Sequence, residues 1–296
     1  LHILKSLKST GKAAIVLPHG VLFRGNAEAD IRRELVDRGL IKAIIGLPGN
    51  LFYGTGIPAC IIVIDKEHAN ARKGILMIDA SKGFVKDGAK NRLREQDIHR
   101  IVDAFKNPGE ESERFARMVS TDEIIKNGYN LNLPRYIDNS DTADVQDIAG
   151  HLQGGIPMQD VEELADYWKV SPQLKNKLFT PLRDGYVELT CEPKDVKQVI
   201  NDDAQFVAFK DKMQAHFASW EQQAQTKLKA LGAENFKPKE LIKDLSESLL
   251  AHYKNTDLVN DYAIYQILMD YWAGIMSDDA YIIATDDWKA EAKIII

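Results

Sequence analysis

The sequence predicts an α/β sheet of mixed strand direction, followed by a helical region. Three observations carry this expectation. Four short apolar runs fall within the first 80 residues, a helical pattern lies between the first two, and the loop between the second and third is too short for a parallel crossover. From about residue 158 onward, helical spacing takes over.

Taken in order, residues 2–8 read as the tail of a helix with Leu1, Leu4 and Leu7 on one face, ended by Gly11. Ala13–Leu17 (AAIVL), stopped by Pro18, fits a strand buried on both faces. Glu28–Arg38 places Ile31 and Leu35 at helical spacing and ends near Gly39. Ala43–Leu47 (AIIGL), stopped by Pro48, is a second buried strand, Ile57–Asp65 a third and Gly74–Asp79 a fourth. Gly49–Ile57 spans nine residues, whereas a parallel connection needs about a dozen. The second and third strands must therefore run antiparallel, which puts a reversed strand near the end of the sheet.

After Asp79 the character changes. Lys82, Lys86, Lys90, Arg92 and Arg94 crowd a loop-like stretch, and a helix follows with Ile98, Ile101, Val102 and Phe105 on its apolar stripe. Gly128–Ile137 (GYNLNLPRYI) reads as extended. Residues 138–147 are polar and acidic, and Gly154–Pro157 breaks the chain again. This region divides an α/β part, 1–140, from a helical part, 141–296. Within the latter, Ser171-Pro172 has the cap-then-proline order of a helix start. Asp202–Leu231 carries Phe206, Phe209, Met213, Phe217, Trp220, Ala224, Leu228 and Leu231 at intervals of three and four. These form an apolar seam along ~45 Å of helix. A final helix near 257–276 is rich in Tyr and Trp.

Composition excludes several classes. With 45% hydrophobic and 28% charged residues the chain is globular in type. No run approaches the length of a membrane span, and no basic-then-apolar leader opens the chain. Cys60 and Cys191 are too few for a disulfide framework and too isolated for a zinc site, which fits a reducing cytoplasm. The net charge of −6 is uneven: residues 1–100 carry 17 Lys+Arg against 10 Asp+Glu, and the rest carry 21 against 34. Contact with DNA through the N-terminal third and incidental surface variation both account for this imbalance.

No complete catalytic signature is present. There is no G-x-S-x-G, P-loop or H-E-x-x-H, no metal-spaced Cys/His cluster, and the seven histidines are scattered. One segment stands out. Leu47–Cys60 (LPGNLFYGTGIPAC) sets Phe52 and Tyr53 on a glycine-rich loop between two buried strands, at a strand end, where α/β sheets form ligand crevices. Two adjacent aromatics there can grip a planar nucleobase; alternatively, Phe52 packs inward as a loop anchor.

The run GKAAIVLPHGVLFRGNAEADIRRELVDRGLIKAIIGLPGNLFYGTGIPACIIVIDK closely resembles modification subunits of type I restriction–modification systems, which are adenine-specific DNA methyltransferases. GYNLNLPRY at 128–136 and YAIYQILMDYWAGIMSDDAYII at 262–283 also look like that family. The resemblance implies the C-terminal part of a Rossmann-like class I methyltransferase sheet, followed by an all-α C-terminal domain for partner docking. It implies that Phe52 packs against a flipped-out adenine, that Pro18 shapes the wall of the same pocket, and that Asn50 and Tyr53 stand at its rim. S-adenosylmethionine would be the methyl donor. Its glycine loop and the Asn-Pro-Pro-aromatic catalytic motif occur nowhere in these residues, and the resemblance puts both upstream, so no catalytic residue is assigned here and this chain alone is not expected to methylate. Implied partners are double-stranded DNA and the specificity and restriction subunits.

Two assignments stay open on the residues themselves. Lys82, Lys86, Lys90, Arg92 and Arg94 contact phosphates beside the target base, or they form a solvated loop. Phe206, Phe209, Met213, Phe217 and Trp220 dock a partner, or they pack within their own domain. The competing reading of the whole chain is a non-catalytic subunit-interaction module.

Overall fold

The apolar runs become strands of one sheet. In a computed structural model of the chain, which describes residues 2–139, 147–232 and 235–289, the first elements are α1 (His2–Ser6), β1 (Lys12–Pro18), α2 (Ala27–Asp37), β2 (Ile41–Gly46), β3 (Ala59–Asp65) and β4 (Gly74–Asp79). Then come β5 (Val85–Asp87), β6 (Lys90–Arg92), α3 (Glu95–Lys106), β7 (Ala116–Ser120) and α4 (Thr121–Lys126). The main sheet has the order β1-β3-β2-β4-β7. β3 runs antiparallel to both β1 and β2, while β2 and β4 are parallel and β7 is again reversed. The short loop thus makes the antiparallel β2–β3 pair that its length requires, and the reversed strand lies between β1 and β2.

Side chains alternate across this sheet, and each face buries its own core. Ile44, Ile62, Ile64, Ile75 and Met77 face a layer that includes Val36 of α2, Ile124 of α4, and Leu131, Leu133, Tyr136 and Ile137. Ala43, Ile45, Leu76 and Ile78 face the other way, onto Ile101 and Ala104 of α3. The segment 128–137 is not a strand. Tyr129 sits at φ 59° and a 3₁₀ turn spans Leu133–Arg135. The Leu131 N–H donates to the Leu22 carbonyl at 2.9 Å, which lays four buried side chains across the sheet as a cover. Buried Arg32 braces this cover, donating to the carbonyls of Val21 (3.0 Å), Arg24 (2.7 Å) and Tyr129 (3.3 Å).

Two compact units result, Leu1–Ala143 and Asp144–Ile296. The boundary expected at 140–141 falls on residues outside those described. The second unit contains α5 (Ile148–Gln153), β8 (Ile156–Pro157), α6 (Met158–Glu163), α7 (Ala165–Val170), α8 (Leu174–Leu178), β9 (Phe179–Arg183) and β10 (Tyr186–Leu189). α9 (Val196–Asp202), α10 (Ala204–Lys229), α11 (Pro238–Tyr253), α12 (Asp261–Tyr271) and α13 (Ser277–Asp286) complete it, with a π-helical turn at Trp272–Met276 between the last two. It is mainly helical, as expected, but it is not purely so: β8, β10 and β9 form a small antiparallel sheet. β9 and β10 turn on Asp184-Gly185, with Gly185 at φ 73°, the backbone a tight hairpin demands. Ser171 does not cap α8; its hydroxyl is buried without a partner. No helix among the described residues is long and apolar enough to cross a membrane.

Candidate target-base site

The carboxyl ends of β1, β2 and β4 meet at one end of the sheet. Pro18 lies opposite Ala59 in the β1–β3 ladder, and Gly46 lies opposite both Cys60 and Asp79. Open α/β sheets bind ligands outside such ends. Asp79 is buried there, its Oδ1 accepting from the Ser81 N–H (3.0 Å) and its Oδ2 from Asn139 Nδ2 (3.3 Å). His19 follows Pro18, and its Nε2 is buried without a partner. Burial holds the His19 imidazole below its ordinary value of 6.5, against the opposing pull of Asp79.

The loop from Gly46 to Ala59 prolongs the β2–β3 hairpin beyond the sheet. Leu47 N–H donates to the Ala59 carbonyl (2.9 Å) and Asn50 N–H to that of Gly56 (3.3 Å). Asn50 takes a left-handed φ of 56° and Gly54 one of 79°. Five residues, Leu51–Thr55, remain at the tip. Their side chains divide sharply. Leu51 packs against the α3-side core, so it is the loop anchor. Phe52 is 44% exposed and Tyr53 93% exposed. The ring of Phe52 is therefore presented at the surface and not sealed in the interior, and Asn50 and Pro18 are exposed at the root of the same loop. Cavities of 420 Å³ and 510 Å³ occur elsewhere and are not lined by Phe52.

The basic stretch is a structured hairpin, not a loop. β5 and β6 pair antiparallel around Gly88 at φ 59°, and the hairpin clasps the aromatic tip. Asn91 N–H donates to the Asn50 carbonyl at 3.0 Å, Asn91 Nδ2 to the Gly49 carbonyl at 2.8 Å, and Lys90 Nζ to the Phe52 carbonyl at 2.5 Å. The Lys90 ammonium also lies 5.8 Å from the Tyr53 ring centroid. Lys90, Tyr53, Phe52 and Asn50 are thus brought together. The other basic residues are distributed differently. Arg92 pairs with Asp87 at 3.3 Å on the exposed outside of the hairpin, and Lys82 and Lys86 are also exposed. Arg94 belongs to the start of α3: its Nε and Nη2 each reach the Asp97 carboxylate at 2.9 Å, and that hydrogen bond raises the guanidinium's pKa. Leu51 and Asn91 were not singled out from the sequence, although Asp87-Gly88 is a hairpin signal that would have led to Asn91.

Among the described residues no cluster of three or more His, Cys, Asp or Glu is arranged to hold a metal. Gly49 is required because a Cβ there would stand 2.9 Å from the Gly56 carbonyl oxygen. The loop's glycines thus close a hairpin, and a strand follows them, so they do not fit an S-adenosylmethionine cradle.

In the second unit the seam of α10 splits. Trp220 is 8% exposed, packs with Ala224, Leu241, Leu245 and Leu249, and donates from Nε1 to Ser248 Oγ at 3.0 Å. It belongs mainly to the core of this unit and also lines the 510 Å³ groove. Phe206, Phe209 and Met213 are half-buried and Phe217 is 44% exposed. Phe217 lines the 510 Å³ apolar groove together with Ile267 and Tyr271.

Residues 1–145, which include this sheet and its aromatic hairpin tip, match the N-6 DNA Methylase family model. The chain's curated relatives include methylase subunits of type I restriction enzymes. It is 45% identical over 130 residues to the type I restriction enzyme MjaVII methylase subunit of Methanocaldococcus jannaschii, covering 43% of this chain and 22% of that protein. It is 38% identical over 188 residues to the MpnII methylase subunit of Mycoplasma pneumoniae, covering 64% and 33%. Among solved structures, the type I restriction-modification system methyltransferase subunit from Streptococcus thermophilus aligns at 45% identity over 46% of this chain and 29% of that chain, with a TM-score of 0.44. The chain thus spans between 22% and 33% of the length of these two curated relatives.

Proposed function

We propose that this chain is part of an adenine-specific DNA methyltransferase, the modification subunit of a type I restriction–modification system, and that its first unit holds the target base. The observation that carries this reading is the division of labour at the hairpin tip, where Leu51 anchors and Phe52 is presented. A duplex hides the adenine amine within its stack, so the base must be extruded and held. Stacking on an aromatic ring stabilises the extruded base by about 1–3 kcal/mol. Phe52 supplies that face, with Tyr53 and Asn50 at the rim and Pro18 at the wall. Exposed Lys82, Lys86 and Arg92 supply positive charge beside it. The methyl donor on this reading is S-adenosylmethionine, held by parts of the enzyme other than these residues. The site of action is the cytoplasm.

The test is Phe52→Ala in the complete methyltransferase. The expected result is a loss of methylation on intact duplex on the order of ten- to a hundredfold, shrinking where the target adenine is mismatched and already unstacked. Equal activity of the variant and the parent on both substrates removes Phe52 from the base-holding role.

A second, non-catalytic role is favoured by the apolar groove of the helical unit, which suits helices of the specificity subunit, with the restriction subunit joining the same assembly. Ile267→Asp with Tyr271→Asp should then abolish co-elution with the specificity subunit in size-exclusion chromatography, and retained co-elution would count against docking there.

A further inference from the structure

We infer that Asn91, on the β5–β6 hairpin, is a positioning residue that sets the aromatic tip for the target base. The inference rests on the base-holding role given to Phe52. Asn91 is 8% exposed, and both its backbone and its side-chain N–H groups are directed at one neighbouring loop. Its backbone N–H reaches Asn50 and its side-chain Nδ2 reaches Gly49, the two residues immediately before the tip. Its Oδ1 is buried with no partner, and turning the amide over would set oxygen against the Gly49 carbonyl, so the donor orientation is the only satisfied one. The adjacent Lys90 closes the far side by donating to the Phe52 carbonyl. Three donors from two consecutive residues thus hold three carbonyls of one short loop.

The tip needs such a hold. Its own closure is the Asn50–Gly56 backbone bond, with Asn50 turning the chain at a left-handed φ of 56°, a conformation asparagine tolerates. Without the clasp, Leu51 still anchors the loop, but the direction in which Phe52 points is left loose. A misplacement of about 1 Å can lower a positioned step a hundredfold, so a residue that touches no DNA governs the rate through the ring it orients.

The experiment compares Phe52→Ala, Asn91→Asp and the double variant in the complete methyltransferase. It reads kcat on a duplex with adenine at the target, and base extrusion on a separate duplex with 2-aminopurine there, which has no 6-amino group to methylate. Asn91→Asp is isosteric and replaces the donor to Gly49 with an acceptor. The expected result is a kcat lowered on the order of ten- to a hundredfold, DNA affinity within about twofold of the parent, and a changed 2-aminopurine signal in the bound complex. The double variant should be no worse than Phe52→Ala alone, because both act through one ring. Additive losses would overturn the positioning role, as would an Asn91 variant whose signal and kcat match the parent while Phe52→Ala is impaired. If Phe52→Ala itself has no effect, the base-holding reading fails first, and that outcome is told apart by this variant alone. Should the aspartate variant not fold, Asn91→Ala removes the donor without setting a charge against Gly49, and the same signals decide.

Discussion

His216 and His252 exchange hydrogen bonds across two helices: Nε2 of His216 meets the His252 carbonyl at 2.9 Å and Nε2 of His252 meets the His216 carbonyl at 2.8 Å. A carbonyl only accepts, so both Nε2 atoms carry protons. The rings stack with centroids 3.8 Å apart, and Tyr253 stands edge-on to both. The pair clips α10 to α11 beside the apolar groove. His216→Leu removes one donor and leaves the His252 carbonyl unserved, a cost of about 1–3 kcal/mol. Urea unfolding should show that loss, and His216→Leu with His252→Leu should cost less than the sum of the two single changes. Additivity in that cycle would dissolve the clip.

Leu51 and Phe52 are neighbours with opposite roles, and stability separates them. Leu51→Ala withdraws a packed side chain and should lower stability by about 1–3 kcal/mol. Phe52→Ala should stay within about 0.5 kcal/mol, as surface changes do. Thermal melting of both variants checks the pair. If Phe52→Ala melts as early as Leu51→Ala, the ring is structural.

Arg32 tests the cover over the first core. Its guanidinium serves three carbonyls, and burial lowers its pKa. A lysine has one ammonium and no planar fork, so Arg32→Lys strands at least one buried acceptor and should cost about 1–3 kcal/mol. Denaturant midpoints measure this, and an unshifted midpoint refutes the bracing role.

His19 gives a pH dependence with a definite sign. Its folded value lies below 6.5 because burial penalises the cation. Above pH 6.5 neither folded nor unfolded chain holds the proton, and the contribution is full. As pH falls below 6.5 the unfolded chain binds the proton first, so stability drops until the folded value is passed. His19→Gln should flatten the stability curve across that interval. An unchanged slope would mean that another group sets it.

Exposed charge on the β5–β6 hairpin is testable by salt. Each lost phosphate contact lowers the slope of log affinity against log salt by about 0.9 on duplex DNA. Lys86→Ala with Arg92→Ala should therefore reduce that slope by about 1.8, while Arg94→Ala should instead weaken the start of α3 through Asp97. Titrations at several salt concentrations separate the two effects.

The main sheet was legible because its strands are apolar runs bounded by proline and glycine, as in Ala13–Pro18 and Ala43–Pro48. The reversal of β3 followed from loop length alone. β7 was missed because Ala116–Ser120 is short and carries Arg117, whose charge is answered by Glu123 at 2.9 Å and not by burial. The hairpins β5–β6 and β9–β10 hid within polar or proline-bearing stretches, yet both turn at Asp-Gly, a pair suited to positive φ. At the site, two adjacent aromatics drew notice to Phe52 and Tyr53. Nothing in spacing reveals that Leu51 is the one turned inward, since that choice depends on where α3 lies. Asp87-Gly88 marks the hairpin that carries Asn91, but the clasp joins residues about forty positions apart, and no local pattern reveals that pairing.

β3 has a hydrogen-bonded neighbour along each side, and this governs how the aromatic tip can move. Any displacement of the loop's root would have to unzip two ladders together, so amide exchange there follows opening of the sheet. Beyond the Asn50–Gly56 bond lie five residues, of which Leu51 is packed and Phe52 is held at its carbonyl. If Phe52 holds the target base as proposed, that base meets a fingertip on a fixed knuckle, whose resting direction is set before DNA arrives.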